Sequence, residues 1–261
     1  MRIAALLLTL SLLNGAAAQA EEAASGAVEA VATRGVSVPI FAQWNSQALA
    51  TVVLYSGGAG GYGKLGQDGW PGSFNFLIRS AKQFAAHRVN VVLVGRASDV
   101  AELDGGTRIG AAHALDNQAL FRAVKAHSDA PIWLVGTSMG TISATAAAIH
   151  DDGQQLAGIV LTSSITAYRV AGAVPSQDLE KIRLPVLVLH HERDACKSCT
   201  PWEAKTIADK LKNAPIKKTV LVNGGANPTG DPCGALHYHG YIGMEKEVVD
   251  LIVAWVLAPS S

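Results

Sequence analysis

Beyond its first twenty residues, the 261-residue sequence has no apolar run long enough to span a bilayer. It also lacks any basic cluster or stripe. Its 21 lysines and arginines balance 21 aspartates and glutamates. Neither nucleic acid nor an anionic membrane surface is therefore an expected partner. Internal repeats, low-complexity tracts and linker-like stretches are missing too, so one domain is expected over residues 35–261. Charged residues are scarce at 16% against 49% apolar, which is enough to bury a sizeable core. Cysteine is limited to three residues, compatible with one disulfide and one spare thiol in an oxidising compartment.

What is present starts with Met1-Arg2, an apolar run from Ile3 to Leu13, and the small-residue stretch Gly15-Ala-Ala-Ala-Gln-Ala20. A positive start, a short apolar core and an Ala-x-Ala site predict a secretory signal peptide over residues 1–20. The apolar run is too short to serve comfortably as an anchor. Cleavage removes Arg2 and leaves 20 basic against 21 acidic side chains. The mature protein is expected to be exported, periplasmic or secreted, with no membrane association. Residues 21–34 are expected to form a loose N-terminal segment.

Strand and helix patterns alternate from there on. Gly35 to Trp44 reads as an edge-type strand, because Pro39 cannot donate to a ladder. Ala48–Tyr55, Val89–Val94, Ile132–Val135, Ala157–Thr162 and Leu184–Leu189 are continuous apolar runs, as expected of strands buried on both faces. Lys218–Val222 is a last strand. Phe74–Ala86, Gly110–His127, Pro201–Leu211 and Ile242–Leu257 read as helices. This order predicts an α/β protein with a doubly wound, mostly parallel sheet and helices on both faces.

The centre of the pattern is Gly136-Thr137-Ser138-Met139-Gly140, set between a strand and a small-residue helix. That context makes Gly-x-Ser-x-Gly a nucleophile elbow, in which flanking side chains would collide with a neighbouring strand or helix. A serine nucleophile needs a base, and the base needs an acid to orient it. In an open parallel sheet both belong at the carboxyl ends of strands. Asp194, in His190-His-Glu-Arg-Asp194, is the preferred acid, with Glu192 as the alternative. His239, immediately before Gly240 and the last helix, is the preferred base, with His237 as the alternative. No recognised ligand spacing links His190, His191, His237 and His239, so no metal is expected.

The order Ser138, Asp194, His239 is that of an α/β-hydrolase triad. Over residues 35 to 257 the sequence resembles small, lid-poor α/β-hydrolases of the esterase and dienelactone-hydrolase type. The resemblance rests on Gly-Thr-Ser138-Met-Gly, the strand ending in Asp194, and His239-Gly-Tyr before the last helix. It implies a serine hydrolase that needs no cofactor and cleaves carboxylic esters, or thioesters, lactones or amides, of a small-molecule acyl substrate. The oligomeric state is left open. One departure stands out: where the family commonly places its histidine, shortly after Gly-Gly, this chain has Asn227. The base would lie a dozen residues further along an extended loop. A Cys196–Cys233 disulfide would tie that loop to the acid loop, with Cys199 free or taking the place of Cys196.

The same fold assigns the glycine-rich loop Ser56-Gly-Gly-Ala-Gly-Gly-Tyr-Gly63-Lys64 to the oxyanion hole. Its donors would be the Met139 N–H and the N–H of Gly58, or of Ala59. The loop also matches a dinucleotide fingerprint and nearly a P-loop. Both need a helix at the last glycine, and Leu65-Gly-Gln-Asp-Gly-Trp-Pro71 cannot open one. Two other functions compete. Cys196-Lys-Ser-Cys199 could serve a thiol–disulfide oxidoreductase, and a catalytically inactive binding protein could keep the fold. Tyr62, Trp70 and Tyr168 are candidate pocket walls.

Overall fold

Four strands, Ala50–Tyr55, Val89–Val94, Ile132–Thr137 and Val186–His191, are buried along their whole length. Their runs of valine, leucine and isoleucine are covered on both faces by helices, which is why they do not alternate. The computed structural model describes residues 26–151 and 154–261. The signal-peptide reading over residues 1–20 lies outside them. In chain order the elements are β1 (Ala27–Thr33), β2 (Val36–Gln43), β3 (Ala50–Tyr55), β4 (Lys64–Leu65), β5 (Pro71–Gly72), α1 (Phe76–Arg79) and α2 (Ala81–Ala85). Then come β6 (Val89–Val94), α3 (Gly105–Arg108), α4 (Ala111–His127), β7 (Ile132–Thr137), α5 (Gly140–Ile149) and β8 (Leu156–Thr162). The chain closes with β9 (Val186–His191), α6 (Ala204–Lys210), β10 (Lys217–Val222) and α7 (Glu245–Leu257).

The main sheet has eight strands in the order β1-β2-β6-β3-β7-β8-β9-β10. From β6 to β10 every neighbouring pair is parallel. Two apolar layers sandwich the sheet. One packs Leu120, Phe121 and Val124 of α4, Ala144 and Ala147 of α5 and Ile207 of α6 against one face. The other packs Leu77 of α1, Phe84 of α2 and Val248, Ile252 and Trp255 of α7 against the opposite face. Among the described residues no helix is long and apolar enough to cross a membrane.

Three local expectations are corrected. Within residues 21–34, Ala27–Thr33 is not loose but forms β1, paired antiparallel with β2 from Ala27↔Ala42 to Thr33↔Val36. Arg34 and Gly35 make the turn, both with positive φ (44° and 80°), as a two-residue hairpin of this twist demands. The Arg34 guanidinium then grips Asp116 of α4 at 2.7 and 2.9 Å. Second, β2 is an interior strand. Pro39 is tolerated because the β2–β6 ladder runs only from Ile40↔Val94 to Gln43↔Val91. The Pro39 carbonyl accepts from Gly95 N–H just beyond it, so the missing donor falls at the ladder's end. The helix expected over Phe74–Ala86 is split at Ser80 into α1 and α2.

Candidate active site

Ser138 sits between β7 and α5 with φ of +51°, left-handed for a residue with a Cβ. Its backbone is held at both ends. Ser138 N–H donates to Thr162 O at 3.1 Å, and Thr141 Oγ1 donates to Ser138 O at 2.6 Å. The flanking glycines are steric requirements. A Cβ on Gly136 would lie 2.6 Å from Gly140 O, and one on Gly140 would lie 1.9 Å from Tyr55 O. The strand, the turn and the helix can approach this closely only without side chains there.

Asp194 and His239 come from the loops after β9 and β10, two and three strands along the sheet from β7. Both are buried, and Asp194 Oδ2 accepts from His239 Nδ1 at 2.8 Å. With Nδ1–H committed to the carboxylate, Nε2 is the basic nitrogen. Asp194 Oδ1 accepts from Cys196 N–H at 2.9 Å, which fixes the carboxylate plane. The histidine backbone is fixed as well. Ser163 Oγ donates to His239 O at 2.8 Å, and Arg79 Nη2 donates to Gly240 O at 2.5 Å. The Tyr241 hydroxyl donates to Leu189 O at 2.9 Å and accepts from Ser163 N–H at 3.1 Å. Burial drives this phenol well above its ordinary range, so it remains a neutral donor.

Cys196 and Cys233 are joined by a disulfide across 37 positions of sequence, with Cα atoms 4.5 Å apart. It links the acid loop to the base loop. This pairing also corrects the oxidoreductase reading, since Cys196-x-x-Cys199 is not a dithiol couple here. Cys199 is a free, fully buried thiol. Burial raises its pKa, the Asp194 charge raises it further, and a hydrogen bond with the Ser138 side chain acts in the opposite sense. Sulfurs of Cys196 and Cys199 and a His239 ring nitrogen lie within 4.8 Å of one another. Cys196 is bonded to Cys233, so it supplies no thiolate and the three groups are not a thiolate–histidine cation-ligand set.

The structure separates the alternatives weighed from the sequence. Glu192 is exposed and accepts from Asn223 Nδ2 at 2.8 Å, away from His239. His237 packs edge-on against Tyr238, with ring centroids 5.4 Å apart, and makes no bond to Asp194. Asn227 is exposed. His190 is fully buried behind the acid loop, where burial lowers its pKa to about 4 and leaves it neutral.

Ser138 and His239 line one cavity of about 250 Å³ with Gly57, Gly58, Asn75 and Cys233. Among the described residues, the His239 ring bonds Asp194 through Nδ1, and the Met139, Gly57 and Gly58 N–H groups donate to no backbone carbonyl. Gly57 abuts the nucleophile, since a Cβ there would lie 3.0 Å from Ser138 Cβ. Ala59 does not line the cavity, and neither do Tyr62, Trp70 or Tyr168. Trp70 packs on Phe41 instead (5.1 Å between centroids), and Tyr168 is exposed beside Lys210. After Gly63 the chain enters β4, not a helix, so no phosphate-binding helix end exists at this loop.

Asn75 is a lining residue that the sequence reading missed. Its Oδ1 accepts from Leu77 N–H at 3.1 Å, capping α1, which turns the amino group away from the helix. Nδ2 lies 3.4 Å from a Cβ built on Gly57. The cue in the sequence was an asparagine directly before an apolar helical run.

No protein-family model matches the chain, and no curated protein sequence matches it. Solved structures do. A dienelactone hydrolase from Anabaena variabilis is 15% identical with a TM-score of 0.61, the match covering 89% of this chain and 96% of that one. An esterase from Pyrobaculum calidifontis is 18% identical with a TM-score of 0.62, covering 89% and 84%. A serine hydrolase without a lid from Xanthomonas campestris is 12% identical with a TM-score of 0.59, covering 91% and 97%. The chain has the α/β-hydrolase fold. Its solved structural neighbours are serine hydrolases, dienelactone hydrolases and esterases.

Proposed function

We propose that this protein is an exported serine hydrolase that cleaves carboxylic esters through an acyl-enzyme. Ser138 attacks the ester carbonyl while His239 Nε2 takes its proton. Asp194 holds the imidazole and stabilises its positive charge. Met139 N–H and Gly58 N–H, with Gly57 beside them, receive the oxyanion. His239 then returns the proton to the leaving alkoxide, and water attacks the acyl-Ser138 by the reverse sequence. The observation that carries this reading is the buried Asp194–His239 pair at 2.8 Å, opening into the same cavity as a left-handed Ser138. Export is supported by the signal-like N-terminus and by a disulfide, which persists in oxidising compartments.

Hydrolysis of short-chain p-nitrophenyl esters by the mature protein is the test. Ser138→Ala, Asp194→Asn and His239→Ala are each expected to lose activity by several orders of magnitude. His237→Ala and Glu192→Gln are expected to retain it. Loss of activity in His237→Ala with retention in His239→Ala would reverse the assignment of the base.

A further inference from the structure

Arg108 ends the short helix α3, in a region that the catalytic reading leaves unused. Among the described residues its side chain is one of the largest fully buried groups, 1% exposed, and no carboxylate bonds it. A guanidinium buried without a counter-ion is costly unless its donors are satisfied, so its partners identify what it is kept for. Four are found. Nε donates to Leu103 O at 2.8 Å, Nη1 to Ser143 Oγ at 2.8 Å, and Nη2 to Gly58 O at 3.0 Å and Ser56 O at 3.4 Å.

These partners surround the expected oxyanion hole. Ser56 and Gly58 are in the glycine loop, and Ser143 is in the first turns of α5, the helix that begins at the nucleophile elbow. Leu103 is itself tied to the loop, because Leu103 N–H donates to Ala59 O at 3.0 Å. The loop needs such outside support. Gly58, Gly60 and Gly61 all have positive φ (59°, 80° and 98°) and carry no side chains to fix them. Across a trans peptide the C=O and N–H point in opposite directions. Drawing the Ser56 carbonyl towards the guanidinium therefore turns the Gly57 N–H the other way, and the bond to the Gly58 carbonyl holds the next peptide but one in the same fashion. Arg108 does not line the cavity, whereas Gly57 and Gly58 do.

We propose that Arg108 is a positioning residue. It clamps the Ser56 and Gly58 carbonyls to the elbow helix, so that the Gly57 N–H is preset towards the oxyanion and Gly58 is held beside it, and it places a buried positive charge behind them. The inference rests on the serine-hydrolase reading of Ser138. Burial lowers the Arg108 pKa to about 10, which leaves it charged at neutral pH. The planar fork suits several carbonyls at fixed angles, a geometry that a lysine ammonium cannot reproduce.

The test compares wild type, Arg108→Lys and Ser143→Ala in p-nitrophenyl acetate hydrolysis, with inhibition by a boronic acid as a transition-state mimic. Circular dichroism reports folding. For Arg108→Lys, kcat is expected to fall about ten- to hundredfold with KM within about threefold, since misplaced donors act on the transition state alone. Boronate affinity is expected to fall in parallel with kcat. Ser143→Ala, the milder change, is expected to lower kcat about three- to tenfold in the same pattern, and it decides the matter if Arg108→Lys does not fold. An active wild type with unchanged kcat in a folded Arg108→Lys, or a loss confined to KM, overturns the inference alone. A wild type that neither hydrolyses the ester nor binds the boronate overturns the hydrolase reading and this inference with it.

Discussion

Removing the disulfide separates what stabilises this protein from what makes its site competent. The double variant Cys196→Ala/Cys233→Ala is the cleaner choice, because a single change would leave Cys199 a second free cysteine to pair with. Freeing a loop closed across 37 positions restores chain entropy to the unfolded state, worth about 4 kcal/mol at 25 °C. For a domain of this size that corresponds to a fall in Tm of roughly 8–16 °C. The effect on kcat is expected to be much smaller. His239 is fixed by bonds that do not involve the bridge: Ser163 Oγ on its carbonyl, Arg79 on Gly240 O, and Tyr241 on Leu189 O. Below the variant's unfolding range, kcat is thus expected to stay within about tenfold of wild type, since local contacts fix the base. Urea denaturation and ester hydrolysis at 20 °C measure the two effects side by side. A stability loss under about 1 kcal/mol would refute the loop-closure argument. A kcat loss beyond about a hundredfold in folded protein would show that the bridge, and not those contacts, presents His239.

Other consequences are equally checkable. Gly140→Ala places a methyl 1.9 Å from Tyr55 O, so it is expected to cost more than about 2 kcal/mol and to abolish activity, measured by urea titration and hydrolysis. Asp194→Asn preserves shape but removes the charge that holds His239 Nδ1–H, and kcat is expected to fall on the order of 10⁴-fold. Stability is expected to fall as the pH drops from 6.5 towards 4. His113 and His190 are buried with folded pKa values lowered to about 4, so the unfolded chain binds protons first. Full stability is present above their unfolded pKa and lost between the two; urea midpoints that do not change between pH 7 and 5 would contradict this. Cys199 is expected to resist iodoacetamide in the native state at pH 8 and to react once unfolded, because burial keeps it a thiol.

Legibility in the sequence followed how local each feature is. Gly136 and Gly140 announced the elbow because its steric demands fall within five residues. The buried strands were legible from continuous apolar runs, and Asp194 from its place just past one. His239 and His237 are not sharply distinguished by any local feature. The two lie two residues apart in a loop whose path is set by distant partners, Ser163 and Arg79 among them. β1 was hidden because Ala27–Thr33 buries only Val31 fully, and its clearest cue is the Arg34-Gly35 turn. Arg108 left no trace. It bonds backbone carbonyls and a lone serine, and nothing in a sequence marks which carbonyls an arginine will meet. The split between α1 and α2 at Ser80 is likewise unmarked, since the apolar periodicity runs through it.

The central claim is that Ser138 is a nucleophile activated by the His239–Asp194 pair. Its most direct test is to incubate the mature protein with a fluorophosphonate at neutral pH, digest it, and locate the adduct by mass spectrometry. The account predicts stoichiometric modification of Ser138, absent in Ser138→Ala and strongly slowed in His239→Ala. An unmodified wild type, or an adduct on another residue, would contradict it.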